Sequence, residues 1–386
     1  MLRFCCFKPI AESPMSMQDR LDRVIDTAIA RKTIVGCVVI VRKNGKEIFS
    51  LAAGYADREA EKRTREDTIF RFASVTKPFV AAATLAMIDQ GKLGLDDRAV
   101  DHLPWFHPKG PNGQQAPITI RHLLTHTAGL SYNPALEELE AGKRVTIGIL
   151  DTDNDAETNF RPLNDIPLDY EPGTAWAYSV GLDILGALIA RVHGGTLEEV
   201  VNHYVTGPLG LKDSRFHVTD RERLAAAYAD GTKGAIRMPS PYYPPRESGW
   251  TAGFSPDRIF NAKAFQSGGA GMAGTAGEVM TLLDTLARGG SRILNPKLAE
   301  AGFSNQVGDI PCEPGMRFGF FGAVCEDPST ALPTMAKGAV QWGGVYGNTW
   351  LVDRAAGLTM VSLSNTALEG CMGAFPENLR RAVYGV

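Results

Sequence analysis

Ser74-Val75-Thr76-Lys77 sets a hydroxyl and an amine three residues apart, a spacing that lays both side chains on one face of a helix. Neither group reacts by itself. A serine hydroxyl needs a base within hydrogen-bond reach, and a lysine becomes one when burial and a positive field lower its pKa and leave a neutral amine. The residues that follow supply the burial. Phe79 to Ile88 are almost entirely apolar, and Asp89-Gln90-Gly91 stops the helix. With Ser74 where a loop runs into that helix, outward-pointing backbone N–H groups and the positive dipole end hold an oxyanion and favour the deprotonated hydroxyl. S-x-x-K arises often by chance, so the weight lies on this setting. An ammonium in the first turns of an apolar helix is costly without a partner or a task.

Two further stretches belong beside it. Glu171-Pro172-Gly173-Thr174-Ala175-Trp176-Ala177-Tyr178-Ser179-Val180 reads as a turn leading into a helix over Ser179 to Val192, with the Tyr178 phenol at the junction. Gln341-Trp342-Gly343-Gly344-Val345-Tyr346-Gly347 lies between two expected strands, where glycines let backbone approach a ligand closely. Taken singly each is weak, since Gly-Gly between strands is more often only a turn.

Elements with readable periodicity surround these stretches. Leu21, Val24, Ile25, Ala28 and Ile29 recur at helical spacing over Gln18 to Ala30. Val35 to Arg42 and Glu47 to Gly54 flank Asn44-Gly45 and read as a hairpin with a type I′ turn. Near the other end Arg317 to Cys325, Gly338 to Trp342, Thr349 to Asp353 and Leu358 to Asn365 read as four strands, and Pro376 to Val383 as a closing helix. Between them the chain is richer in Pro, Asn, Asp and Gly. The fold class expected is α+β: an antiparallel sheet flanked by N- and C-terminal helices, with an inserted all-α region. Residues 1–17 are expected as an extension, 18–103 and 266–386 as the sheet domain, and 104–265 as a mainly helical domain with long loops.

In this order and at these separations, the three stretches resemble the penicillin-recognising serine enzymes: class C β-lactamases, DD-peptidases and family VIII carboxylesterases. Phe70-Arg71-Phe72-Ala73, Leu123-Leu124-Thr125-His126-Thr127-Ala128-Gly129-Leu130 and Gly268-Gly269-Ala270-Gly271-Met272 look like the family too. The resemblance implies a β-lactamase-like fold, with Ser74 as the acylated nucleophile, Lys77 as its base partner and Tyr178 as the proton relay to the leaving group. The backbone N–H groups of Ser74 and Val345 would form the oxyanion hole. Two departures matter. The cationic Lys-Thr-Gly of β-lactamases is here Trp342-Gly343-Gly344, and the asparagine expected two positions after the tyrosine is Val180. Both point away from charged β-lactams and toward small neutral esters. A Trp-Gly-Gly-Val stretch is similar to that of family VIII esterases, with Trp342, Gly343, Gly344, Tyr132 and Tyr346 as substrate-binding candidates. The resulting expectation is a carboxylesterase acting through an acyl-enzyme. A β-lactamase or transacylase using the same residues, a non-catalytic penicillin-binding sensor and a scaffold that has kept the fold stand as the alternatives.

Composition narrows the partners. The 386 residues are 44% hydrophobic and 22% charged with a net charge of -3, and no like-charge run is long enough to track a phosphate backbone. Nucleic acid is therefore not expected, and a small-molecule ester is. No segment has the length and apolarity of a membrane span, and Lys8-Pro9 interrupts anything like a signal peptide, so a cytoplasmic location is expected. The six cysteines form no C-x-x-C or C-x-x-H pair and read as reduced thiols, Cys37 and Cys325 as small core residues. His122 and His126 have i, i+4 spacing but lack the glutamate of H-E-x-x-H, so they read as structural. No metal or organic cofactor is called for, and the oligomeric state is left open.

Overall fold

The computed structural model describes residues 15–132, 148–245, 253–331 and 335–386. Most of the extension expected over residues 1–17 lies outside them. Ser16 already caps the first helix, α1 (Met17–Ala30), its Oγ accepting the Asp19 N–H at 3.1 Å.

The chain then enters an antiparallel sheet: β1 (Gly36–Lys43), β2 (Lys46–Asp57) and the short β3 (Lys62–Arg63). Asn44 and Gly45 take positive φ at the first hairpin, as a type I′ turn demands. Next come α2 (Thr76–Asp89), α3 (Ile120–Thr125), α4 (Gly181–His193) and α5 (Ala276–Ala287). The sheet resumes with β4 (Met316–Phe318), β5 (Ala323–Cys325), β6 (Val340–Gly344), β7 (Asn348–Asp353) and β8 (Leu358–Ser364), before the helix α6 (Ala374–Tyr384). The apolar run Arg317 to Cys325, expected as one strand, is two. Gly319 N–H bonds Gly322 carbonyl, and the chain folds back there.

Strand order across the sheet is β3-β2-β1-β8-β7-β6-β5-β4, every neighbour antiparallel. The seam between the two parts of the chain is β1 on β8, with Cys37 opposite Ser364. Alternation in β1 explains why it sits centrally. Val38 and Ile40 face a core shared with α2 and α5, whereas Cys37, Val39 and Val41 face one shared with Leu21 and Ile25 of α1 and Phe375 and Leu379 of α6. A strand apolar on both faces needs a layer on each side, and two helical layers supply it. Between β3 and α2 a two-residue ribbon pairs Phe70–Arg71 with Ala273–Gly274.

Candidate active site

Ser74 does not stand in α2 itself. It is the middle residue of one 3-10 turn, Ala73–Val75, that leads into the helix. Ala73 holds φ +45°, a left-handed conformation that side chains with Cβ avoid and that tight surroundings must enforce. Those surroundings are identifiable. Asn348, fully buried at the start of β7, donates its amide to the carbonyls of Arg71 at 2.8 Å and Phe72 at 3.1 Å. The Phe72 N–H goes to Met272 carbonyl at 2.9 Å. Gly344 at the end of β6 lies so close that a Cβ there would come within 2.0 Å of the Phe72 carbonyl oxygen. The backbone before Ser74 is thus clamped from β6, β7 and the 267–272 segment at once.

Inside this frame Ser74 Oγ accepts from Lys77 Nζ at 3.0 Å and from Tyr178 OH at 2.7 Å. Ser74 and Lys77 are 8% and 3% exposed. The spacing of three has done what a helix face predicts. Lys77 spends its other donors on the Gly269 carbonyl at 2.7 Å and the Tyr132 hydroxyl at 3.4 Å, and its Nζ stands 4.7 Å from the Tyr178 ring centroid. Among the described residues it has no ion-pair partner. Gly269 is itself fixed from behind. Its N–H reaches Asp183 Oδ1 of α4 at 3.2 Å, and Ser267 donates to the same oxygen. Burial pushes the Asp183 carboxyl above the usual range, partly offset by the Ser267 bond and the Lys77 charge.

Tyr178 sits at the loop-to-helix junction as its sequence implied, three residues before α4. Rings surround it: Tyr132 at 5.1 Å, Trp342 at 5.1 Å, His126 at 4.8 Å and Trp176 at 6.3 Å between centroids. Trp342 also donates its indole N–H to Tyr178 OH at 3.3 Å. Phe318 of β4 closes the far side, packing on His126, Trp176 and Trp342.

The candidates therefore divide. Ser74, Lys77, Tyr178, Tyr132 and Trp342 come together in one hydrogen-bonded network: Lys77 and Tyr178 on the Ser74 oxygen, Tyr132 on Lys77 and Trp342 on Tyr178. Gly343 and Gly344 form the strand end beside them, and Val345 begins the turn that follows, its N–H donating to no acceptor among the described residues. Tyr346 is different. It is 6% exposed, packs edge-to-face on Phe254 at 5.2 Å, and makes no hydrogen bond or ring contact to Ser74, Lys77, Tyr178 or Trp342. Burial raises its phenol to about 12. His122 and His126 serve separate partners: His122 Nδ1 accepts the Thr119 N–H, whereas His126 Nδ1 meets Ser179. Sequence reading gave no role to Gly269, Asp183, Phe318 or Asn348. Asp183, a lone acid in the apolar stretch Gly181-Leu182-Asp183-Ile184-Leu185, carried the same signal as Lys77.

Comparison with known proteins places the chain by family and fold. The Beta-lactamase family model matches residues 21–375. Esterase EstB of Burkholderia gladioli is 42% identical over 378 residues, spanning 96% of this chain and 95% of the relative. The solved structure of EstCE1, described as a hydrolase with promiscuous acyltransferase activity, superposes with a TM-score of 0.88 at 40% identity, covering 95% of this chain and 98% of that one. Acyltransferase calJ of Penicillium decumbens is 29% identical over 346 residues, 80% of this chain and 79% of the relative.

Proposed function

Because this chain belongs to the Beta-lactamase family, we propose that it is a serine carboxylesterase that hydrolyses small neutral esters through an acyl-enzyme on Ser74. One observation carries the reading: a single serine oxygen, 8% exposed, accepts from both a lysine and a tyrosine, and the tyrosine oxygen is held by an indole rather than by a cation. Trp342 stands where β-lactamases of the resemblance have the lysine of Lys-Thr-Gly, so a substrate carboxylate finds no positive charge at that strand. The naming of EstB as an esterase and of EstCE1 as a hydrolase supports the same choice.

In this reading Ser74 Oγ adds to the ester carbonyl while its proton passes to the Lys77–Tyr178 pair. The oxyanion is held by the N–H groups of Ser74 and Val345. Collapse breaks the bond to the alcohol, which leaves with the proton returned by Tyr178. Water then adds to the acyl group, gives a proton to the same pair, and the second collapse returns one to Ser74 Oγ and frees the acid. Trp342, Gly343, Gly344 and Tyr132 line the approach. The cleft lies between the sheet domain, 18–103 with 266–386, and the mainly helical 104–265: the first contributes Ser74, Lys77 and Trp342, the second Tyr132 and Tyr178. Among the described residues the unpaired thiols Cys37, Cys312, Cys325 and Cys371 fit a reducing, cytoplasmic setting.

A second reading, transfer of the acyl group to another alcohol or amine, is favoured by the acyltransferase activity named for EstCE1 and calJ. Initial rates on p-nitrophenyl butyrate and nitrocefin, for wild type and Ser74→Ala, test the proposal. Fast ester cleavage that vanishes in Ser74→Ala, with slow nitrocefin turnover, is expected. Ester cleavage that survives in Ser74→Ala overturns it, and the opposite substrate ranking makes the protein a β-lactamase.

A further inference from the structure

His126 follows α3 and takes φ +59° and ψ 32°, a left-handed position where histidine and asparagine are tolerated better than bulkier residues. From there one residue holds the N–H groups of both residues that flank Tyr178. Its carbonyl accepts the Ala177 N–H at 3.1 Å, and its Nδ1 accepts the Ser179 N–H at 3.3 Å. The carbonyl also takes the Tyr170 hydroxyl at 3.1 Å, and Nδ1 the Ser179 hydroxyl at 3.1 Å, whose oxygen in turn accepts the Gly181 N–H at 3.3 Å.

A backbone N–H can only donate, so Nδ1 must present its lone pair and the ring proton must sit on Nε2. The ring is fully buried, and Nε2 has no hydrogen-bond partner among the described residues. Its neighbours are rings: Tyr178 at 4.8 Å, Phe318 at 5.2 Å and Trp176 at 6.1 Å. Burial, and secondarily the Lys77 charge, hold the imidazole well below its usual pKa. An imidazolium would lose the Ser179 N–H bond and feel the Lys77 charge.

We propose that His126 is a positioning residue for Tyr178: its carbonyl and its neutral Nδ1 grip the N–H groups of Ala177 and Ser179, and its ring backs the phenol, so that the hydroxyl stays on Ser74. This rests on the reading of Tyr178 as the proton relay. The grip, not the ring volume, is the active element, and asparagine can imitate it. Asn Oδ1 occupies much the place of Nδ1 and suits the left-handed backbone, whereas Phe keeps the ring and loses the acceptor.

The test compares wild type, His126→Asn and His126→Phe on p-nitrophenyl butyrate, with thermal melts and the pH profile of kcat/KM. His126→Phe is expected to lose kcat by about a hundredfold, the effect of a catalytic group displaced by an ångström, with KM within about twofold and a shifted pH profile. His126→Asn is expected to recover kcat to within about fivefold of wild type and to keep the profile. Equal losses in both variants, or none in His126→Phe, overturn the proposal. Nitrogen-15 histidine NMR of the wild type is a check that needs no variant. A proton on Nε2 that stays single down to pH 5 is expected, and a proton on Nδ1 refutes the grip. Labelling of Ser74 by a fluorophosphonate ranks the same variants without an ester, so a wrong substrate class is told apart from a wrong role for His126.

Discussion

Trp342 Nε1 and Tyr178 OH lie 3.3 Å apart, and the same phenol oxygen is 2.7 Å from Ser74 Oγ. The phenol therefore donates to the serine and accepts from the indole, and its rotation is fixed from both sides. Replacing Trp342 with Phe removes the donor and keeps a ring against Phe318. Expected is a fall of about tenfold in kcat on p-nitrophenyl butyrate, the worth of one hydrogen bond of about 1.4 kcal/mol, with an unchanged melting temperature.

Lys77→Met separates catalysis from stability. Lys77 is 3% exposed and has no ion-pair partner among the described residues, so burying its polar amine is an expense to the fold. A methionine of similar length fills the space without that cost. The variant is expected to lose about a thousandfold or more in kcat yet to melt no lower than wild type, as measured by calorimetry alongside ester hydrolysis.

Two glycine substitutions should diverge. Ala at position 344 puts a methyl 2.0 Å from the Phe72 carbonyl, and neither strand end nor nucleophile turn can yield without moving Ser74. Gly344→Ala is expected to lose most esterase activity and about 2 kcal/mol or more in stability by urea unfolding. At Gly277, in α5 with ordinary φ and nothing within 4 Å of the new methyl, alanine is expected to add up to about 1 kcal/mol and leave kcat alone.

Acid should weaken the fold through His126. Its folded pKa is depressed by burial and by Lys77, so below the unfolded value of about 6.5 the unfolded chain takes up a proton that the folded chain refuses. Stability contributed by the neutral ring is complete above about pH 6.5 and falls, by at most about 1.4 kcal/mol per pH unit from this group, as pH drops further. Unfolding free energies between pH 5 and 8 check this. The decline must be smaller in His126→Asn, which has nothing to protonate there.

Local pattern was legible, and partnership across distance was not. Alternating apolar residues in Val35 to Arg42 announced β1, and Ser74, Lys77 and Tyr178 were marked by their settings. Gly319-Phe320-Phe321-Gly322 hid a turn inside one apolar run, because two buried phenylalanines look the same in a strand and at its reversal. The hydrogen bonds that shape the site run from 348 to 72, from 126 to 179 and from 183 to 269, and no periodicity encodes such pairs. The Lys77 setting was readable because a charge in an apolar helix is anomalous in itself. Asp183 was anomalous in the same way, and its meaning needed the glycine loop beside it.

The β1–β8 seam has a consequence for how the protein is made. Ser74 and the largely apolar α2 leave the ribosome early, yet the strand that Cys37 must face, Leu358–Ser364, is translated near the end. At about 5–20 residues per second, that helix waits roughly tens of seconds for the strand that closes the sheet behind it. Closing so long a loop is slow as well as late. The chain becomes an enzyme only after β8 has been made and the two parts of the sheet have closed on each other.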